Sequence, residues 1–271
     1  MTTMTRRLVA AAAVAVALGV PMAAWQGQVV DDGWCRGERS GNGRAQACEV
    51  REIAVPAGTT LAVDAAPNGG IEVSGSARGD MVVRARVSAW ADSDQRAREI
   101  MAAVRVDAAA DKVTADAPEG TGRREGWSVS YRIAVPTRTS LRLDTTNGGI
   151  SVADIDGHVE FKTVNGGVKI ASVSGEVKGR TTNGGVDVDL DGATWQGEGL
   201  DVQTSNGGVR IRIPEQYSAR LEAGTVNGGI STDLPLNVQG RIDRQISASL
   251  GAGGPLIRVQ THNGGVKLEK K

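Results

Sequence analysis

The chain has 271 residues with 31 basic and 31 acidic side chains, so its formal net charge is zero, and only 3% of its residues are aromatic. The balanced charge gives no electrostatic reason to expect a nucleic acid or an anionic membrane surface as the partner. The scarcity of aromatic side chains argues against one thick globular core and favours a thin, repetitive core of Val, Ile and Leu.

The first 24 residues predict a secretory signal peptide. Arg6 and Arg7 precede an apolar run at 8–20, and Pro21 with small residues leads to a cleavage site after Ala24. The apolar run of 13 residues is shorter than the ~20 needed to cross a bilayer, which disfavours the alternative of an uncleaved anchor. We therefore expect an exported protein, periplasmic or at the cell surface, with no stable membrane span after cleavage.

Cys35 and Cys48 are the only cysteines. In an exported protein an even pair at short range predicts a disulfide, which contributes roughly 3 kcal/mol in the chain-entropy model. A metal or redox pair is disfavoured, because the spacing is not C-x-x-C and no His lies nearby. The bond would close a leading segment at 25–55.

Residues 56–140 predict a β-rich unit that contains one helix. Short runs with alternating apolar and polar residues, such as 81–87, are typical of half-buried strands. The pattern changes at 93–104, where helix-forming residues follow Asp92 or Ser93 as the N-cap. This is the one helix that the sequence after residue 24 predicts.

Residues 141–271 carry six Asn-Gly-Gly triplets, and these organise the rest of the chain. The Asn residues of the triplets are Asn147, Asn165, Asn183, Asn206, Asn227 and Asn263. The residue two before each Asn is Thr, the residue six before is aliphatic, and the residue three after is Ile or Val. Such rows are typical of a repeating supersecondary unit with a structural turn at each triplet. The last spacing of 36 residues is twice 18, which predicts a rung without its triplet near residue 245.

Two all-β architectures are compatible with these rows. Asn-Gly between alternating strands is typical of a type I′ hairpin, which predicts an antiparallel hairpin array or sandwich. In a β-solenoid-like stack each triplet is a corner instead, and equal positions lie about 4.8 Å apart. The position five before each Asn alternates in charge over the first four triplets and fails once, at Glu222, and opposite charges stabilise only stacked neighbours. We therefore predict the solenoid, with a ladder of stacked Thr hydroxyls, and keep the hairpin array as the alternative.

Four features of the chain are similar to a known family. They are Val-Arg-Glu at 50–52, Asn-Gly-Gly-Ile at 68–71, Trp-Ser-Val-Ser-Tyr at 127–131 and the later triplets. Together they resemble the bacterial DUF4097 proteins, which are β-strand-repeat proteins described as candidate adhesins. The resemblance covers most of the chain after residue 24 and implies an exported, β-solenoid-like, non-enzymatic protein. The first triplet departs from the others, because Ala66-Pro67 replaces Thr-x, and this assigns it to the preceding unit or to a first rung.

The two histidines, His158 and His262, lie 104 residues apart. His262 occupies a position where Thr, Val and Ser also occur, which indicates a structural role. No cluster of Cys or His predicts zinc, and no pattern predicts a catalytic residue, a metal or a cofactor.

Three carboxylates need a closer look, because polysaccharide-cleaving β-helix enzymes carry acids on an outward strand face. Asp187, Asp189 and Asp191 alternate along one strand and point the same way. Lys169 and Arg210 are their expected neighbours on adjacent rungs, which favours ion pairing on a solvated face over catalysis or calcium binding.

Trp195 is the candidate ligand-surface residue. It lies in a spacing of 23 residues, five longer than the common spacing of 18. A Trp displayed beside a flat sheet would be able to stack against a sugar. The alternative is that the indole covers an apolar corner, because large apolar side chains prefer burial. Tyr217 has the same two interpretations.

Taken together, these patterns predict a non-catalytic exported envelope protein. It would present an extended β surface for adhesion, scaffolding or recognition, with an envelope polysaccharide or surface protein as partner. One alternative is a parallel β-helix enzyme that cleaves polysaccharides, which would depend on a single carboxylate such as Asp187. The other is a ligand sensor of an envelope-stress pathway, which requires a partner protein that the sequence does not name.

Overall fold

The computed structural model describes residues 27–36, 43–117, 122–234 and 244–271. The predicted signal peptide at 1–24 lies outside these residues. The elements before the later triplets are β1 (Gln28–Val30), β2 (Ala45–Pro56), β3 (Thr60–Asp64), β4 (Ile71–Ser76), β5 (Asp80–Ala91), α1 (Asp94–Ala103), β6 (Arg105–Ala108), β7 (Lys112–Asp116) and β8 (Gly126–Pro136). The strands that follow are β9 (Ser140–Asn147), β10 (Ile150–Ala153), β11 (Asp156–Asn165), β12 (Val168–Ala171), β13 (Ser174–Asn183), β14 (Val186–Asp189), β15 (Gly199–Asn206), β16 (Val209–Ile213), β17 (Ala219–Asn227), β18 (Ile230–Thr232), β19 (Gln245–Leu250), β20 (Leu256–Asn263) and β21 (Val266–Lys270).

Two large sheets enclose one thin apolar core. The 11-stranded sheet has the order β1-β2-β5-β8-β4-β10-β12-β14-β16-β21-β18, and the 10-stranded sheet has the order β19-β17-β20-β15-β13-β11-β9-β3-β7-β6. Each triplet joins a strand of the 10-stranded sheet to a strand of the 11-stranded sheet, and successive rungs pair in parallel. The predicted all-β, solenoid-like stack is confirmed. The triplets are corners rather than hairpins, because the strands they join belong to different sheets.

The rows of apolar residues seen in the sequence line this core. The aliphatic side chains six positions before each Asn are at most 2% exposed; they are Leu141, Val159, Val177, Leu200, Leu221 and Ile257. The row three positions after Asn is buried at five triplets and partly buried at Ile230, on the last strand of its sheet. Because alternate residues of a strand share a face, a two-residue period in each sheet suffices to build a core without aromatic bulk.

Each corner is held by the side chains of Asn and Thr. The Asn amides form one ladder, in which Asn147 Nδ2 donates to Asn68 Oδ1 at 2.9 Å and every later rung repeats the bond at 2.8–2.9 Å. The buried Thr hydroxyls do not bond to one another, so the predicted hydroxyl ladder is wrong. Each donates to the carbonyl of the first glycine of a neighbouring triplet, as Thr181 does to Gly166 at 2.8 Å. A buried hydroxyl needs an acceptor, and the corner carbonyl supplies one at each rung.

The last rung does not stack at the end. Strand β20 lies between β15 and β17, and β21 lies between β16 and β18. The predicted rung without a triplet near 245 is therefore wrong, because that stretch is β19, which pairs antiparallel with β17 at the sheet edge. In the described part of the last spacing, residues 245–250 therefore form an edge strand and not a rung.

This insertion explains the single failure in the charge row. In the order of the strands the row five before Asn reads Arg142, Glu160, Lys178, Asp201, Arg258 and Glu222. Its sign alternates at every step. The Arg258 guanidinium lies 3.5 Å from the Asp201 carboxylate and 2.9 Å from that of Glu222, so it separates two acids that would otherwise be neighbours.

The residues before the later triplets continue the same two sheets. Strand β3 pairs with β9 and β4 pairs with β10, so the sheets run on across the boundary predicted at 140/141. The triplet at 68–70 forms the corner of a first rung, and Asn68 bridges Asn147. Beyond it, β2, β5 and β8 are antiparallel.

The predicted helix is α1, which lies against this antiparallel end. Ser93 is its N-cap and accepts a hydrogen bond from the Arg96 N–H at 3.2 Å. Its C-terminal carbonyls accept hydrogen bonds from Arg51 on β2, at 3.0 Å for Met101 and 2.5 Å for Val104. A cation is favourable at this end of a helix.

Cys35 and Cys48 form the predicted disulfide, with their Cα atoms 5.8 Å apart. The bond ties the segment after β1 to β2, where Cys48 lies opposite Ser88 of β5. It therefore positions the residues next to Cys35 at the antiparallel end of the 11-stranded sheet.

Candidate functional site

A groove of about 1170 Å³ runs along the outside of the 11-stranded sheet, next to the corners. It crosses eight neighbouring strands, β8, β4, β10, β12, β14, β16, β21 and β18, which at ~4.8 Å per strand corresponds to a length of roughly 34 Å. Its floor is the second glycine of each triplet, namely Gly70, Gly149, Gly167, Gly185, Gly208, Gly265 and Gly229. The groove thus follows the stack axis and engages every rung.

The two glycines of a triplet differ in what the fold requires of them. A Cβ on the first glycine, such as Gly166, would overlap the backbone carbonyl of the first glycine in the neighbouring rung. A Cβ on the second glycine would lie 3.1–3.5 Å from the nearest backbone oxygen along the inner rungs, and would meet nothing at Gly229. The first glycine position of each triplet therefore has to be glycine, because neighbouring rungs stack too closely there to leave room for a Cβ. The second is much less constrained, and its main effect is to keep the groove open.

The wall of the groove is the row four positions after each Asn. Among the described lining residues five side chains are cationic, Arg86, Arg132, Lys169, Arg210 and Lys267, and two are anionic, Glu72 and Asp187. Several are ion-paired: Arg132 lies 3.2 Å from Glu72, Arg210 lies 3.8 Å from Asp187 and 3.6 Å from Glu269, and Lys267 pairs with Glu269. Lys169 is exposed, and no salt bridge to it is found among the described residues. The lining itself has three more positive than negative side chains, but Glu269 beside it pairs with two of the cations, Arg210 and Lys267.

An aromatic side chain lies at the antiparallel end of the groove. Trp34 is half-buried there, with the Arg132 guanidinium 4.0 Å and that of Arg86 5.1 Å from the centre of its ring. Such cation–π contacts fix the ring in position. The disulfide of the adjacent Cys35 holds the same segment. No sequence pattern singles out Trp34, because it lies outside the repeats and 36 residues before the first floor glycine, Gly70.

The three candidate acids are engaged in ion pairs. Asp187 and Asp189 contact Arg212 at 3.1 and 3.2 Å, and Asp189 contacts Lys271 at 2.9 Å. Hydrogen bonds from Lys271 and from Ser172 lower the pKa of Asp191. A general acid needs a raised pKa, so this arrangement favours charge pairing on the sheet surface, in line with the interpretation made from the sequence.

Trp195 is not displayed on a surface. Its side chain is 4% exposed and belongs to the main core, and its indole N–H donates to the Gly175 carbonyl at 2.9 Å. The candidate ligand-surface role is therefore wrong, because burial of a large ring whose one polar atom finds an acceptor is favourable. Tyr217 is 3% exposed, and burial raises its pKa to about 12.

The histidines lie on the other sheet and are not neighbours. His158 is on β11, with Nδ1 2.7 Å from Glu176, and His262 is on β20, with β13 and β15 between them. In the part of the chain that the structure describes, no group of three or more His, Cys, Asp or Glu residues is arranged to hold a metal ion. Within the same residues no helix is long and apolar enough to cross a membrane.

Comparison with known proteins gives the family. The sequence profile of DUF4097, also called Toastrack, matches residues 52–269. The chain belongs to the DUF4097 family. No curated protein sequence matches it significantly.

Several solved structures are similar to this chain at low identity. A candidate cell adhesion protein from Clostridium sporogenes is 13% identical, with a TM-score of 0.43 over 83% of this chain and 100% of that chain. A candidate adhesin from Bacteroides fragilis is 13% identical, with a TM-score of 0.30 over 82% and 97%. A candidate lipid-binding protein from Parabacteroides distasonis is 10% identical, with a TM-score of 0.33 over 83% and 96%.

The Toastrack match also divides the groove. Its glycine floor and its row of charged side chains lie within residues 52–269, whereas Trp34 and both cysteines lie before that range. The long part of the groove is thus built by the family's repeat, and the aromatic end is added by the preceding segment.

Proposed function

We propose that the protein is a non-catalytic, exported envelope protein whose extended β surface recognises a component of the cell wall or cell surface. The observation that carries this proposal is the groove, which crosses eight strands and repeats the same elements at each rung. A repeated site of this kind suits an extended ligand, because each rung adds a similar contact. A catalytic site would instead need one place that differs from the rest.

The ion pairs support a binding function over cleavage of a polysaccharide. Asp187 and Asp189 share Arg212, and Asp189 and Asp191 share Lys271. Hydrolysis of a glycoside requires one carboxyl group that holds a proton near neutral pH and a second one that is ionised. Lys271 and Ser172 lower the pKa of Asp191 and so favour the ionised form of that acid.

The experiment uses the chain from residue 25 onward, mixed with isolated cell envelope and with purified wall and surface polysaccharides. Sedimentation of the protein and release of soluble sugar are followed in the same tubes. We expect saturable co-sedimentation without any released sugar. Release of oligosaccharide that is lost in Asp187→Asn would overturn the proposal in favour of the enzyme, and an absence of sedimentation with every preparation would overturn recognition of the envelope.

A further inference from the structure

The ladder of Asn side chains ends at Asn227, on the last rung of the stack. At an inner corner such as that of Asn165, three hydrogen bonds restrain the Asn side chain and the next backbone N–H. The Asn165 amide donates to Asn147 Oδ1 at 2.8 Å, and the amide of Asn183 donates to Asn165 Oδ1 at 2.8 Å. The Gly166 N–H donates to the Asn183 carbonyl at 3.0 Å. The following rung supplies two of these three bonds, so a corner without a following rung lacks them.

The corner at Asn227 keeps one of the three bonds, the one from its amide to Asn263 Oδ1 at 2.9 Å. Among the described residues nothing donates to Asn227 Oδ1, and the Gly228 N–H has no acceptor. Strand β19 pairs with β17 over 219–224, before the corner is reached. Gly228 is exposed, whereas its counterparts at the inner corners are partly buried, namely Gly148, Gly166, Gly184, Gly207 and Gly264. The last corner is therefore the least restrained of the six that the later triplets form.

An Asn followed by Gly is prone to a reaction within the chain, and Asn is among the thermolabile residues for this reason. The Gly nitrogen loses its proton and attacks the carbonyl carbon of the Asn side chain. A C–N bond forms there, the bond to the side-chain nitrogen breaks, and that nitrogen leaves with the proton as ammonia. Water then opens the succinimide ring to give aspartate or isoaspartate, so water is the only co-reactant. Gly permits the close approach because it has no Cβ.

From the geometry of the corners we infer that Asn227 is a deamidation site and that stacking protects the other Asn residues of the ladder. This inference does not rest on the proposed function. The reaction requires the side-chain carbonyl to turn toward the Gly nitrogen, which the ladder bonds oppose. It also requires that nitrogen to give up its proton, which a hydrogen bond to a carbonyl opposes. An inner corner such as that of Asn165 has to open three such bonds, and the corner of Asn227 has to open one.

The product would change the end of the stack. A carboxylate at position 227 has no amide hydrogen to donate to Asn263 Oδ1, so the last bond of the ladder is lost. Isoaspartate also adds a carbon atom to the backbone between β17 and β18, where the corner has to match the neighbouring rung. Strand β18 is the last strand of its sheet and has three residues. Deamidation should therefore loosen β18 before any other strand of the repeat.

The chain contains a matched control for this reaction. Residues 163–167 and 225–229 have the same sequence, Thr-Val-Asn-Gly-Gly, so Asn165 and Asn227 have the same local chemistry and differ in their place in the stack. The purified protein is incubated at mildly alkaline pH, folded and in urea, and deamidation at each Asn is followed by peptide mass spectrometry. In the folded protein we expect Asn227 to react at least about tenfold faster than Asn165, because two fewer hydrogen bonds have to open. In urea the two rates should agree within about twofold, because the stack is absent.

Two variants test the hydrogen bonds as the cause. Asn263→Ala removes the acceptor of the Asn227 amide, and Asn147→Ala removes the acceptor of the Asn165 amide. Each variant should speed deamidation of its own neighbour by about fivefold and leave the other Asn within about twofold of its rate. Equal acceleration of both sites in either variant would mean general loosening of the fold and would contradict protection by the ladder.

The comparison within the unaltered protein decides the inference without any variant. Equal rates at Asn165 and Asn227 in the folded state would overturn it, because place in the stack would then have no effect. A folded protein in which Asn227 stays intact while the chain in urea reacts would overturn it as well. Preferential reaction at Asn227, with similar rates in urea, supports it.

Discussion

The outer faces of the two sheets are built from the same repeat and differ in the order of their charges along the stack. On the 10-stranded sheet the charges in the row five before Asn alternate from rung to rung, and Arg258 lies between Asp201 and Glu222 and pairs with both. On the 11-stranded sheet the row beside the second glycines does not alternate in this way: Arg210 and Lys267 are neighbours that both pair with Glu269, and Lys169 is an exposed cation without a salt bridge among the described residues. Charges that pair within the sheet help to choose the neighbour of each strand, whereas unpaired ones remain available to a ligand.

The largest expected effect separates the two glycines of one triplet. Gly166→Ala should lower the free energy of unfolding by about 3 kcal/mol or more, because its Cβ would overlap the Gly148 carbonyl and the stack would have to shift. Gly167→Ala should change it by less than about 1 kcal/mol, because that Cβ lies 3.5 Å from the Gly185 oxygen, an ordinary contact. Urea unfolding of the two variants measures both values. Similar losses would mean that the second glycine is also demanded by the stack.

A smaller effect is expected on the inner side of the 10-stranded sheet. Thr181→Val keeps the shape of the side chain but removes the donor to the Gly166 carbonyl, which should lower stability by about 1–2 kcal/mol. Thr182 is the next residue and is exposed, so Thr182→Val is the matched control, with a change within about 0.5 kcal/mol. Urea unfolding measures the free energy of unfolding of both variants. Equal changes would show that the hydrogen bond from Thr181 to the corner carbonyl does not stabilise the fold.

Charge reversal tests the contrast between the faces directly. Arg258→Glu places three acids in a row on the 10-stranded sheet and should cost about 1 kcal/mol. Arg258→Gln separates the lost attraction from the added repulsion and should cost less. Lys169→Gln on the other sheet should change stability by less than about 0.5 kcal/mol. A greater loss in Lys169→Gln than in Arg258→Glu, measured by thermal or urea unfolding, would contradict the division of roles.

The smallest effect is expected at Asp191, two residues after the end of β14 in the 11-stranded sheet. Hydrogen bonds from Lys271 and Ser172 lower the pKa of folded Asp191. Their contribution is therefore complete above the ordinary aspartate pKa of about 3.9 and disappears as the pH falls through the lowered value in the folded protein. Because the side chain is 45% exposed, we expect about 0.5 kcal/mol or less. Urea unfolding at several pH values should show a flatter acid limb in Asp191→Asn, and an unchanged limb would contradict this assignment.

Much of the fold could be predicted because its rows have a simple physical origin. Parallel stacking places equal positions next to each other, so the aliphatic row before Asn and the alternating charges were readable as neighbours. The order of the last two rungs was missed, although the like charges of Asp201 and Glu222 were the signal that these strands are not adjacent. The Thr row was misjudged because a repeated hydroxyl in the sequence does not show whether its acceptor is a side chain or the backbone.

The groove was harder to predict than the fold. Both glycines of a triplet recur equally in the sequence, and only the stacked backbone shows that the first is required by contact and the second much less so. Trp195 was predicted to be displayed because it lies in a longer spacing between triplets. Its side chain is buried in the core instead, because burial of a large apolar ring is favourable. Trp34 reaches the groove through a disulfide-tied segment, a long-range placement that no local pattern encodes.

Because β20 lies between β15 and β17, the order in which these strands are synthesised differs from their order in the sheet. Strands β15 and β17 leave the ribosome before β20, which separates them in the folded sheet. Direct pairing of the two early strands would set Asp201 against Glu222, and this repulsion disfavours a shortened stack. The charges of these strands therefore disfavour pairing of β15 with β17 before β20, which carries Arg258, has been synthesised.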